Sequence, residues 1–366
     1  MKIDNSTVEK TNMQISLWMW TALCVSLMIV MLVFAADKKI VIAEVSQDQT
    51  GLGGDADYKG HGEQDVALVL QRTYTMEGSF CIPLSQEIKP ENVSMENRYG
   101  TRSLWIYIQG GDQDFYMDNA VFGDISHVQE GCSEPWEDGI LLKLEMDGVM
   151  EYRSTLEGST LTIAYSRPHD TYDFVVILDP AGGGNDTGAV GSSLKEKDLT
   201  LEIARSVQRQ FGLQNVRLYL TRVEDVDVEP QDRVRLADAV DADLYIRISV
   251  RADGGHPESY GIQGRYNDDY FIPGYGNVEL ADTVTRAVTI TASNRAAGLT
   301  PADRDSVLRR LKTAAMELEV GNLANAEEET LLEQEFYKEK LAAGILNAMQ
   351  EACEALGQLR EEDKSK

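Results

Sequence analysis

The rhythm of hydrophobic positions changes several times along the chain. Ile15–Ala36 is a run of 22 residues without a charge. At 1.5 Å per residue it makes about 33 Å of helix, enough for a hydrocarbon core of about 30 Å. It predicts a transmembrane anchor over 15–36, with residues 1–14 as a cytoplasmic tail and the bulk of the chain outside. A cleaved secretory signal is the alternative, because Val33-Phe34-Ala35 has the small-residue spacing of a cleavage site. Residues 37–65 are polar and rich in glycine (Gly51, Gly53, Gly54, Gly60, Gly62) and read as a flexible linker. Residues 66–172 carry short β signals at Ser79–Leu84, Ser103–Ile108, Ile140–Met146 and Leu161–Ser166, separated by glycine turns. A small all-β sandwich is expected there.

From residue 173 to 359 the pattern becomes α/β. Phe174–Leu178 is continuously apolar, as in a strand covered on both faces. Lys197–Phe211 follows with helical spacing. Val216–Thr221 and Leu244–Val250 read as strands, and Pro230–Val240, Asn277–Ala292 and Phe336–Leu359 as helices. The alternation predicts a largely parallel sheet flanked by helices. Residues 360–366 read as a charged, frayed tail.

Charge and cysteine narrow the function. With 34 Lys+Arg against 61 Asp+Glu the net charge is −27. A nucleic-acid partner, which needs clustered cations, is excluded. None of the four cysteines, Cys24, Cys81, Cys132 and Cys353, forms a C-x-x-C pair, so no thiolate metal site is expected. Cys81 and Cys132 fall in one domain and have two open fates, a disulfide outside the cell or two buried thiols.

The chemistry-bearing segments lie in the C-terminal half. Asp179-Pro180-Ala181-Gly182-Gly183-Gly184 ends the first strand, Glu196 opens a helix and Thr221-Arg222 ends a strand. Arg233 lies in the next helix, Ala242–Ser249 spans another strand, and Glu319-Val320-Gly321 leads to Asn325. A phosphate cradle at Gly182–Gly184 is disfavoured, because the spacing is not G-x-G-x-x-G and Asp179 and Asp186 flank it. In order and spacing these elements resemble the zinc-dependent N-acetylmuramoyl-L-alanine amidases of bacterial cell-wall remodelling. That family's pattern runs Asp-Pro-Gly-His-Gly-Gly, a Glu about fourteen residues later, Thr-Arg, Arg, Ala-Asp-x-x-x-Ser-Ile-His and Glu-x-Gly-x-x-x-Asn.

The resemblance implies a zinc site of two histidines and the early glutamate, with the late glutamate as general base. It implies cleavage of the bond between the muramic acid lactyl group and L-Ala. The early glutamate corresponds to Glu196 and the late one to Glu319. Gly182 and Ser249 stand where the two histidines belong. Glycine offers no donor and a serine hydroxyl is a poor zinc ligand, so no zinc is expected. Asp179 and Arg233 are expected to support the turn, Arg233 by pairing with a buried carboxylate. Glu319 is expected to help hold the loop through Asn325. The resulting expectation is an inactive amidase-like pseudoenzyme at the cell membrane, binding peptidoglycan or regulating a wall-remodelling partner. An active but diverged amidase, using zinc with His256 from the loop Asp253–Pro257 or with a carboxylate-rich site, is the alternative.

Overall fold

The structure is a computed structural model that describes Leu52 and residues 65–365. The anchor expected over 15–36 and almost all of the linker lie outside the described residues. Among the described residues no helix is long and apolar enough to cross a membrane.

The first body is a sandwich of two five-stranded sheets. Its strands are β1 (Val66–Ala67), β2 (Leu70–Arg72), β3 (Ser79–Pro83), β4 (Val93–Arg98), β5 (Ser103–Gln109), β6 (Val121–Gly123), β7 (Val128–Trp136), β8 (Gly139–Met146), β9 (Glu151–Glu157) and β10 (Thr160–Ser166). One sheet has the order β1-β7-β8-β5-β4, the other β2-β6-β3-β10-β9. Alternate residues such as Ile106, Leu142 and Leu144 meet Phe80, Ile82 and Ile163 in the core, the period-2 pattern of strands with one buried face. A short helix, α1 (Gln113–Asp118), interrupts the expected all-β region; Asp112 caps it by accepting from the Asp114 amide at 3.1 Å. Cys81 and Cys132 are both buried free thiols, on strands of opposite sheets.

The second body is α/β, with α2 (Pro168–Thr171), β11 (Phe174–Pro180), α3 (Glu196–Gln210), β12 (Val216–Leu220), α4 (Pro230–Ala239), β13 (Leu244–Arg251), β14 (Ile262–Tyr266), α5 (Asn277–Ala292), β15 (Ala296–Pro301), β16 (Ala314–Asn322), α6 (Ala326–Leu332) and α7 (Glu335–Lys364). The sheet order is β12-β11-β13-β16-β14-β15. The first four run parallel, and β14 joins β16 antiparallel. Helices α3, α5 and α7 cover one face through Leu199, Ile203, Leu280, Val284, Leu341 and Ile345. On the other face Val234 and Leu236 of α4 pack against Val175, Ile177, Tyr219 and Tyr245. Both faces of β11 are therefore dry, which is why its sequence is continuously apolar.

Helix α7 continues to Lys364, so residues 360–364 are helical rather than a frayed tail. Arg360 holds this end: it donates to the Asp173 carbonyl at 2.9 Å, pairs with Asp243 and lies over the Phe174 ring. The two bodies are joined by buried polar contacts. Glu151 of β9 accepts from Arg217 Nε at 2.7 Å and from the Tyr219 hydroxyl, and the Tyr99 hydroxyl donates to the Leu220 carbonyl at 2.8 Å.

Candidate active site and its arginines

The carboxyl ends of β11, β13 and β16 gather the residues singled out in the sequence. In an open α/β sheet this is the end where ligands bind. Asp179 is fully buried at the end of β11. It accepts from the Thr221 hydroxyl at 2.6 Å, from the Tyr245 hydroxyl at 2.6 Å, and from Arg233 and Arg247. Burial alone raises its pKa; the guanidiniums of Arg233 and Arg247, with the two hydroxyls, outweigh it and hold the carboxyl well below the usual range. Arg233 thus pairs with a buried carboxylate, as expected.

The glycine turn is caged by arginine. Arg233 donates to the Gly182 carbonyl at 2.9 Å, and Arg222 donates to the carbonyls of Pro180 at 3.1 Å, Ala181 at 2.8 Å and Lys197 at 2.7 Å. Gly182 has φ +68°, and a Cβ there would lie 2.8 Å from the Asp186 carbonyl oxygen and 3.0 Å from Lys197 Cβ. The next amides are already taken: Gly184 N–H donates to Asp225 at 2.8 Å and Asn185 N–H to Asp227 at 2.7 Å. Carboxylates thus fill the place that a phosphate would need.

Glu196 is the first residue of α3. Its carboxylate spans the site, accepting from Ala189 N–H at 2.7 Å through one oxygen and from Val250 N–H at 3.0 Å through the other. Burial raises its pKa, against the opposing pull of these two amides and Arg247. Ser249 is buried at 3% exposure, and its hydroxyl has no hydrogen-bond partner among the described residues. It stands in register with Glu319 on β16. Glu319 is held between two arginines, with Arg265 Nη1 at 3.2 Å and Arg251 Nη1 at 3.5 Å. Burial raises its pKa, and the two cations oppose the shift without cancelling it.

Glu319 does not hold the loop through Asn325. That work falls to Glu328, which accepts from the amides of Gly261 at 2.9 Å and Asn322 at 2.8 Å, while Asn325 caps α6. His256 is 71% exposed and faces Glu258 at 3.3 Å. Three residues of the site carried no role in the sequence reading: Arg247, Arg251 and Arg265. Arg247 and Arg251 stand out in the sequence as charges four residues apart in a largely apolar strand. Arg265 had no signal, because β14 (Ile262–Tyr266) was not foreseen.

A family profile described as N-acetylmuramoyl-L-alanine amidase matches residues 176–351. The germination-specific N-acetylmuramoyl-L-alanine amidase of Bacillus subtilis (strain 168) is 31% identical over 189 residues, 47% of this chain and 76% of that protein. The chain belongs to the N-acetylmuramoyl-L-alanine amidase family. The sporulation-specific N-acetylmuramoyl-L-alanine amidase of the same organism is 30% identical over 185 residues, 48% of this chain and 67% of that protein. A solved N-acetylmuramoyl-L-alanine amidase from Clostridium difficile 630 superimposes with a TM-score of 0.46 at 28% identity, covering 49% of this chain and 95% of that one. The family match lies within the α/β body, and the β sandwich falls outside it.

Proposed function

We propose that this member of the amidase family binds peptidoglycan at the cell surface without hydrolysing it. The observation that carries this reading is how the two retained glutamates are used. Both oxygens of Glu196 are occupied by backbone amides, and Glu319 is clamped between Arg251 and Arg265. Both carboxylates thus carry structural contacts, and neither Gly182 nor Ser249 sets an imidazole beside them.

The remaining positions do not fit a zinc ion either. Catalytic zinc takes three protein ligands from imidazole, thiolate or carboxylate. Gly182 has no donor and no room for a side chain, Ser249 offers only a hydroxyl, and Arg247 and Arg251 put positive charge on either side of it. Zinc dependence is therefore not part of the proposal, and no hydrolytic step is assigned. The active alternative through His256 has no support in the geometry, since that ring points to solvent beside Glu258.

The uncharged run Ile15–Ala36 supports a single-pass anchor that would hold both bodies outside the membrane, within reach of the wall. Regulation of a wall-remodelling partner belongs to the same proposal as a consequence of occupying its substrate. Co-sedimentation with purified sacculi tests the reading. The protein is expected to pellet with sacculi and to release no stem peptide. Failure to pellet would refute peptidoglycan binding and the regulation that follows from it, and release of stem peptide would refute the non-hydrolytic reading.

A further inference from the structure

The β sandwich carries a recess remote from the amidase-type end. It opens at the tip of the β7–β8 hairpin, has a volume of about 380 Å³, and falls in the size range of small-ligand sites. One wall is aromatic. Trp136 is 43% exposed, and Tyr107 meets it edge-on with ring centroids 5.4 Å apart. The Tyr107 ring is anchored from behind by its hydroxyl, which donates to Glu96 at 3.0 Å.

The opposite wall is a chain of oriented amides. Asn92 Nδ2 donates to Gln109 Oε1 at 3.2 Å, and Gln109 Nε2 donates to Asp138 Oδ2 at 2.8 Å. These contacts use one N–H of each amide and one oxygen of Asp138, so each group keeps further hydrogen-bonding capacity for a ligand. Three carboxylates, Glu91, Glu137 and Asp138, line the recess with no Lys or Arg.

This combination selects a ligand class. An anionic ligand is repelled by the carboxylates and by a chain of net charge −27. A cationic peptide would pair only with exposed carboxylates, which contribute little. An uncharged saccharide fits better. Its hydroxyls match alternating donors and acceptors, and the polarised C–H groups of its ring face suit the electron-rich face of an indole.

We infer that this recess, lined by Trp136, Tyr107, Asn92, Gln109 and Asp138, is a binding site for an uncharged glycan strand. It is separate from the amidase-type site and stands independently of the reading proposed for that site.

The test is isothermal titration of the full chain in detergent with two uncharged probes, the N-acetylglucosamine tetramer and cellotetraose. Polygalacturonate serves as an anionic probe and a Lys-rich peptide as a cationic one. At least one uncharged tetrasaccharide is expected to bind with a dissociation constant near or below about 1 mM. Trp136→Ala and, separately, Gln109→Ala are expected to weaken it at least tenfold with unchanged melting temperature, since both side chains are exposed. No binding of either tetrasaccharide, equal binding by both variants, or tighter binding of either charged probe would overturn the inference. The probes contain no stem peptide, so their failure leaves the sacculus reading untouched.

Discussion

Asp179 is the residue on which the site's internal order rests. It is a fully buried carboxylate with two hydroxyl and two guanidinium partners. Removing one member of a buried ion pair costs about 3–5 kcal/mol, because the partner charge stays buried and unpaired. Asp179→Asn should therefore lower unfolding free energy by about that amount in denaturant titration. Glu329 offers a second residue-scale prediction with a pH signature. It accepts from the amides of Ser193 at 2.7 Å and Leu194 at 3.1 Å, and from the Ser192 hydroxyl. Burial raises its pKa, but these donors prevail and bring it from the usual 4.5 down to about 2. A depressed carboxyl stabilises the fold above its unfolded pKa and loses that contribution as pH falls through the folded one. The stability gap between the native chain and Glu329→Gln should be full above about pH 5 and shrink between pH 4.5 and about 2. A gap that stays constant over that window would contradict the assignment.

At the scale of elements, the turn after β11 leaves no room for a histidine at position 182. Gly182 has a left-handed backbone, and the carbonyl of Asp186 occupies the space its side chain would need. Gly182→His combined with Ser249→His should lower the melting temperature by several degrees and bring no stoichiometric zinc, measured by differential scanning calorimetry and metal analysis. Unchanged stability with one bound zinc would show that the turn is not closed around glycine. The same elements show what the sequence makes legible. Strands β11 and β13 were readable because burial on both faces leaves long apolar runs, and Asn277–Ala292 because one helical face packs on the sheet. Strands β14 and β15 were not, because Gln263-Gly264-Arg265 and the largely exposed Ala296–Pro301 carry no such run; their pairing is tertiary. The gathering of Gly182, Glu196, Ser249 and Glu319 at one sheet end followed from motif order. The arginine clamp on Glu319 did not, because Arg265 reaches it only through the antiparallel docking of β14 on β16.

For the whole molecule, the question is whether its two bodies act as one. Arg217 is buried and reaches across to Glu151, beside Tyr219 and Tyr99. Glu151→Ala would leave that guanidinium without its carboxylate, at a cost of about 3–5 kcal/mol, and should split a single calorimetric transition into two. One unsplit transition in the variant would mean that apolar contacts alone couple the bodies. In the proposed reading an amidase-family fold serves binding, with Glu196 and Glu319 in structural roles. The most direct measurement is zinc content together with stem-peptide release from purified peptidoglycan, made on the unmodified full chain supplied with zinc. The account predicts less than stoichiometric zinc and no release. One zinc per chain, with release that a chelator abolishes, would contradict it.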